Sequence, residues 1–240
     1  MPTFRHGKKT AVLFGNYNLS SYLNEASMSS SSETSETTAF GDNAKTYITS
    51  LQDATVSLSG MFEGEINDTT LNSALTNASS TLVTICTTGL VAGEPCFFGV
   101  SRSNSYEISS PVADVVTVTS DLQLDGGINA GKIISGGVSV AAGATANSTV
   151  NDNTASSANG IVANLHVTDN TGNGSTTFKL QHSSDNSTFA DLITFAVVSA
   201  GVETSEQKSA TGTINRYLRV NAVDTGTSGA ITYSLAISRR

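Results

Sequence analysis

Three histidines and two cysteines are the side chains of this 240-residue chain best suited to metal, acid–base or nucleophilic chemistry, and their spacing groups none of them. His6, His166 and His182 lack an H-x-x-x-H partner or a paired-cysteine motif, the spacings that aim two ligands at one zinc ion. His166 alternates out of phase with Leu165 and Val167, which predicts an exposed strand position; His182, ending a strand beside a turn, is read the same way. Cys86 and Cys96 flank a loop containing Gly and Pro. That spacing permits a cross-hairpin disulfide, and two buried free thiols are the preferred reading because nothing else points to an oxidising compartment. Asp169, Asn170 and Asn173 of "DNTGNGS" offer oxygen donors, but the loop lacks EF-hand spacing and its closing Glu, so a hairpin turn is expected. The N-x-S/T triplets beginning at Asn77 and Asn186 are what chance yields in a chain so rich in Asn, Ser and Thr. With no P-loop, dinucleotide fingerprint or G-x-S-x-G elbow, and no cluster of titratable groups, neither enzyme activity nor a metal or cofactor is expected.

Charge points the same way. The formal net charge is −8, and Glu25, Glu33, Glu36, Asp42, Asp53, Glu63 and Glu65 place much of it in the first quarter of the chain. Residues 1–120 carry eleven Asp and Glu against five Lys and Arg, the remainder nine against seven. An acidic surface repels phosphate instead of displacing its counterions, which argues against a conventional DNA-binding protein. No apolar run approaches the roughly 20 residues needed to span a bilayer. The opening "MPTFRHGKKT" has no apolar core of a secretory signal, so the chain is expected to be made and kept in the cytosol.

The elements that would position any site are strands. Trp is absent, aromatic residues make up 6%, and Ser, Thr, Asn, Ala and Gly dominate, a mixture that suits sheets and turns. Period-two alternation runs through "VVTVTSDLQL" (Val116, Val118, Leu122, Leu124), "ATVSLSG" (Val56, Leu58), "GIVANLHVTD" (Ile161, Ala163, Leu165, Val167) and "AITYSLAIS" (Ile231, Tyr233, Leu235, Ile237). "TLVTICTTG" and "CFFGVSR" read as two further strands, and "TFKLQHSSDNSTFADLITF" as a hairpin turning at "SSDNS". One short helix is expected in "NDTTLNSALTNASS", capped by Asp68 with Leu71 and Leu75 on its buried face. The run "GGINAGKIISGGVSVAAGATANSTVNDNTASSANG", poor in large apolar residues, marks a composition break with a boundary expected near Ser135. The fold class is all-β: an antiparallel β-sandwich or barrel over residues 1–135, followed by a smaller β-sandwich over 136–240.

Residues 20–47, "SSYLNEASMSSSSETSETTAFGDNAKTY", offer a core almost nothing. Connections in compact domains are usually about four to six residues long. The Thr content and the alternation of Glu with hydroxyl residues suit a long β-hairpin arm that adds to a partner's sheet edge; a flexible Ser-rich linker is the competing reading. Tyr22, Leu23, Phe40, Tyr47 and Ile48 are the apolar points at which an arm would meet neighbouring copies.

The motifs "RHGK", "LSSYLNEAS", "ETSETTAFGD", "AKTYI" and "VSLSGMFEG", in that order, resemble the N-terminal region of the major tail (tail tube) proteins of long, non-contractile-tailed bacteriophages. "VVTVTSDLQLDGG" is similar to the strand closing that domain, which extends the resemblance over residues 1–135. "SSANGIVANLHVTDN", "KLQHSSDNSTFADL" and "NRYLRV" are similar to C-terminal segments of longer phage tail proteins, and partly to discoidin-type carbohydrate-binding modules, with Phe189 where those often place Trp.

The resemblance implies a β-sandwich subunit forming hexameric rings, stacked into a tail tube in the host bacterial cytoplasm and carried in the virion. Double-stranded DNA would pass through it without specific binding. The implied partners are further copies of the chain and the tape-measure, terminator and distal tail proteins, with no cofactor and no membrane insertion. Glu33, Glu36 and Asp42 are the carboxylates expected to face the lumen. Two alternatives stay open. One is a virion-surface module that binds carbohydrate or cells through residues 136–240, marked by exposed aromatics near Phe189 or Tyr217; the other is a tail terminator or capsid decoration protein of the same β class.

Overall fold

The computed structural model describes residues 6–64, 68–77 and 79–240. Glu65, Arg5 of the "RHGK" run and Ala78 of the first N-x-S triplet lie outside them. The first seven strands are β1 (Ala11–Phe14), β2 (Tyr17–Asn18), β3 (Leu23–Glu36), β4 (Tyr47–Met61), β5 (Thr81–Cys86), β6 (Pro95–Ser109) and β7 (Thr117–Ala141). Eight follow: β8 (Thr145–Asn147), β9 (Asn151–Asp152), β10 (Ile161–Asn170), β11 (Thr176–Ser183), β12 (Ala190–Thr194), β13 (Thr204–Ala210), β14 (Tyr217–Asp224) and β15 (Ala230–Arg239). The fold is all-β, as the alternation requires.

Packing divides the chain into two units. The larger comprises the described parts of Met1–Ser21, with Thr81–Phe98 and Asn129–Arg240. Here one sheet runs β13-β10-β15-β7-β6-β5-β1-β2 and a second runs β12-β11-β14-β8, with β9 also on β14. The two sheets pack through the residues that alternation selects. Ile161, Ala163, Leu165 and Val167 of β10 and Ile231, Tyr233, Leu235 and Ile237 of β15 meet Phe178, Leu180, Leu218, Val220 and Ala222 of β11 and β14. The Phe178 and Tyr233 rings lie 4.7 Å apart in a tilted pair. Burying each such aliphatic or aromatic side chain stabilises the sandwich by about 1.5–3 kcal/mol.

Alternation describes only one face of β10, and the other is covered too. The first sheet curls until β5 lies against β13 and β2 against β10. This encloses a second core of Ala11, Cys86, Cys96, Phe98, Ile133, Val162 and Ala236. Both cysteines are free and buried; a hydrogen bond with Cys86, then burial, push the Cys96 thiol far up. His166, expected at the surface, is fully buried. Its Nδ1 lies 2.7 Å from the Gly15 carbonyl and its Nε2 2.8 Å from Thr84 Oγ1. A carbonyl only accepts, so Nδ1 carries the proton and Nε2 accepts from the Thr84 hydroxyl. Burial, opposed in part by the Gly15 carbonyl, lowers the His166 pKa to about 4. His182 is half-buried instead of exposed: its Nδ1 accepts from the Asn215 N–H at 3.3 Å, and burial lowers its pKa.

The Gly-rich run is strand as far as Ala141, and Ser135 lies within β7. Its glycines make room for neighbouring backbone. A Cβ on Gly131 would stand 1.8 Å from the Ile237 carbonyl oxygen, so only Gly lets β7 pass β15 there. The "SSDNS" turn joins β11 to β12 as read, with Asn186 left-handed at φ 58°. Asp185 accepts from the N–H groups of Ser187 and Thr188, which with the Ser183 hydroxyl hold its pKa at about 2.

The smaller unit comprises Tyr22–Ser80 and Gly99–Ile128. β4 pairs antiparallel with β7 from Thr55/Gln123 to Met61/Thr117. Ala54, Val56 and Leu58 are buried on β4, and Val118, Ser120, Leu122 and Leu124 on β7. The expected helix is a π turn, Asp68–Asn72, that runs into one α-helical turn, α1 (Ser73–Thr76). The wider opening turn shifts the apolar register, so Leu71 and Ala74 are buried while Leu75 is only half-buried. Asn72 precedes α1 without a side-chain cap; the Asp68 side chain, the expected cap, is outside the described ones.

The buried imidazole sets a pH dependence. The native state holds His166 neutral, so from pH 6.5 down to about 4 the unfolded chain binds a proton that the folded chain refuses. Stability is full above that window and falls through it, by on the order of 3 kcal/mol in all. Urea midpoints at pH 7.0 and 4.5 should therefore drop further for the wild type than for His166→Gln. Equal drops would remove the imidazole from the account.

Candidate assembly interface

Residues 20–47 fold as the first strand and tip of a hairpin, since β3 pairs antiparallel with β4 from Leu23/Gly60 to Glu36/Tyr47. The root is fixed tightly. Tyr22 and Leu23 are half-buried, Met61 N–H donates to the Tyr22 carbonyl at 3.0 Å, and the register slips once between Leu23 and Glu25. A Cβ on Gly60 would lie 2.2 Å from the Tyr22 oxygen, so Gly allows the two backbones to close there. Beyond the root, β4 is held on its other side by β7 only as far as Thr55.

From there outward the hairpin is a two-stranded ribbon. Every residue in 29–53 is exposed. Such a ribbon buries little and is marginally stable alone in water. Its apolar side chains face solvent: Phe40 is 112% exposed, Leu51 79%, Ile48 58% and Tyr47 55%. Phe40, Tyr47 and Ile48 are among the apolar points expected from the sequence; Leu51 is not, and at a second register slip, between Ser32 and Thr34, it stands with Ser50 opposite Glu33. Among the described residues β3 pairs with β4 alone, which leaves its outer row of N–H and C=O groups available to another strand.

The tip is closed by its own polar groups. Thr37 N–H donates to the Thr46 carbonyl at 2.8 Å, and Ala39 N–H to Asp42 Oδ2 at 2.8 Å. Lys45 Nζ lies 2.9 Å from Glu36 Oε2, and the hydrogen bonds from Lys45 and then Thr38 lower the Glu36 pKa. The three carboxylates read as lumen-facing thus differ. Glu36 is neutralised by Lys45, Asp42 caps the turn without a cation, and Glu33 has no cationic partner among the described residues.

A second exposed apolar group, also missed, consists of Met61 at the end of β4 and Ile108, Val112 and Val115 around the β6–β7 connection. Elsewhere the polar candidates serve the fold. Asn173 Oδ1 accepts from the N–H groups of Thr227 and Ser228, and Asn170 Nδ2 donates to the carbonyls of Ser199 and Val202, so both side chains tie loops together. Among the described residues no three His, Cys, Asp or Glu side chains converge as a metal site. The aromatics that would mark a sugar platform are half-buried, each with a guanidinium on one face: Arg219 lies 3.9 Å from the Phe189 centroid and Arg216 4.9 Å from that of Tyr217. Arg216 also grips Asp152 through two hydrogen bonds of 2.7 and 2.6 Å.

No family model matches the chain, and no curated protein does. Among solved structures it is similar to one described as the virion of a native gene transfer agent particle, with a TM-score of 0.43 and 12% identity over 52% of this chain and 97% of that one. It is similar to the SPP1 tail tube with a TM-score of 0.43 and 14% identity, over 52% of this chain and 77% of that chain. Similarity to the SPP1 Dit protein covers 89% of this chain and 98% of that one, with a TM-score of 0.37 and 14% identity.

The root of the hairpin can be tested directly. Gly60→Ala forces the β3 and β4 backbones apart, and a cost of about 1–3 kcal/mol is expected. It should appear as a lower melting temperature and as faster amide exchange concentrated in β3. A variant with unchanged melting and exchange would show that the close approach at Tyr22 does not hold the hairpin.

Proposed function

We propose that the chain is a structural subunit of a phage tail, a tail-tube protein whose copies form stacked rings, hexameric by the resemblance, around a lumen that conducts double-stranded DNA. It acts in the virion after assembly in the host cytoplasm, together with tape-measure, terminator and distal tail proteins. The observation that carries this reading is the exposed ribbon of residues 29–53, with Phe40, Tyr47, Ile48 and Leu51 in solvent and one strand edge unpaired. A chain that leaves such a ribbon uncovered has a use for it, and covering it with neighbouring copies satisfies both the apolar side chains and the edge. Four of the five motifs that carry the resemblance, "LSSYLNEAS", "ETSETTAFGD", "AKTYI" and "VSLSGMFEG", fall on or beside this hairpin and its root.

An acidic lumen keeps the duplex sliding, because carboxylates repel phosphate and release no counterions. Glu33 is the best placed of the three candidates, being exposed and without a cationic partner among the described residues; Glu36 is paired to Lys45 and Asp42 belongs to the tip. Residues 136–240 are assigned to the outside of the tube.

Negative-stain electron microscopy across a concentration series should show rings or hollow tubes with a channel of about 20 Å or more, enough for duplex DNA. In hydrogen exchange, residues 29–53 should exchange fast in the monomer and slowly once assembled. Dispersed particles at every concentration would count against the tube, and equal protection in both states would remove the hairpin from the interface.

A further inference from the structure

Charge is divided between the two units more sharply than along the chain. The smaller unit, which bears the hairpin, contains twelve Asp and Glu against two Lys and Arg. The larger contains eight against ten, and within it residues 1–21 hold three cations and no carboxylate. Two of those cations line a recess. Residues 7–9 form a single 3₁₀ turn, held by the Lys8 N–H donating to His6 Nδ1 at 3.1 Å. His6, Lys8 and Lys9 of this turn, with Thr87 and Thr88, surround a cavity of about 230 Å³. Neither ammonium group has a carboxylate partner among the described residues; Thr88 Oγ1 donates to Glu94 at 3.2 Å.

The hairpin tip has the complementary chemistry. Phe40 stands wholly in solvent, two residues from the carboxylate of Asp42, which has no cationic partner among the described residues. An aromatic ring beside a carboxylate suits a recess of lysine stems, threonine methyls and ammonium groups, through contact with the stems, cation–π attraction and charge pairing.

We propose that the β3–β4 tip of one copy seats in the recess of His6, Lys8 and Lys9 of a second copy, with Asp42 facing the ammonium groups and Phe40 against the lysine stems. This identifies the acceptor surface for the hairpin and rests on the assembly reading above. Because tip and recess are different surfaces, the contact repeated head-to-tail builds a ring or a stack, whereas two copies that exchange tips reciprocally would close as a two-fold dimer.

The test mixes ¹⁴N- and ¹⁵N-labelled full-length chain, couples carboxylates to amines with a zero-length carbodiimide, and maps mixed-isotope peptides by mass spectrometry alongside micrographs of the same sample. Mixed-isotope links from Asp42 to Lys8 or Lys9 are expected. Sedimentation of Asp42→Lys, and of a chain carrying Lys8→Glu and Lys9→Glu, should show self-association weakened about tenfold in each, with recovery when the two variants are mixed. Lys8→Arg with Lys9→Arg should lose the links and keep the association. Rings or tubes with links only elsewhere, or reversals without effect, would overturn this contact and leave the tube reading standing. Links without rings or tubes would uphold the contact and sink the tube. Neither links nor association at any concentration would overturn both.

Discussion

Backbone hydrogen bonding along one strand, β7, is the constraint from which the rest of the structure follows. Its first half pairs with β4 and thereby holds the hairpin; its second half pairs with β15, at the middle of the larger sheet. A strand with these two duties needs buried apolar side chains where it meets a core and none where another backbone presses against it. Val118, Leu122 and Leu124 answer the first need, Ile133 and Ile134 the same need further on, and Gly131 the second. Stability, register and the presentation of the hairpin therefore share one element.

The hairpin itself is a balance between incompleteness and safety. Its root is over-determined by β7 and by the close approach at Gly60, whereas its outer part has only one strand pairing to hold it. An unpaired edge with exposed Ile48 and Leu51 invites indiscriminate pairing, and carboxylates are the usual guard against that. Glu25, Glu33 and Asp53 lie along the hairpin, so copies of the monomer repel unless a basic surface is presented. The charge that keeps the ribbon soluble would then also choose its partner, which links surface electrostatics to ordered assembly.

The buried imidazole shows the opposite strategy, a polar group fully paid for by its partners. His166 ties the β1–β2 turn and β5 to β10 through one accepted and one donated hydrogen bond. Neutral and paired, it fits among apolar neighbours; protonated, it would lose the Thr84 hydroxyl as a donor and bring an uncompensated charge into the interior.

Much of this was legible in the residues alone. Alternation located the strands β4, β7, β10 and β15 and selected an apolar face that each buries, because pleating makes side-chain direction a property of sequence position. The polar content of residues 20–47 marked a segment without its own core, and the structure makes it a hairpin. Tertiary structure alone decided whether a second face was covered. Asn164 and His166 of β10 have the spacing of solvent positions, and they are buried because the sheet curls round and brings β2 and β5 over them, strands more than seventy residues away in sequence. It also decided what the glycines of β7 mean, since composition cannot separate a Gly that loosens a linker from a Gly that admits a neighbouring carbonyl. The physical reason is common to both cases: local pattern records how a residue points, while burial depends on which distant backbone arrives there.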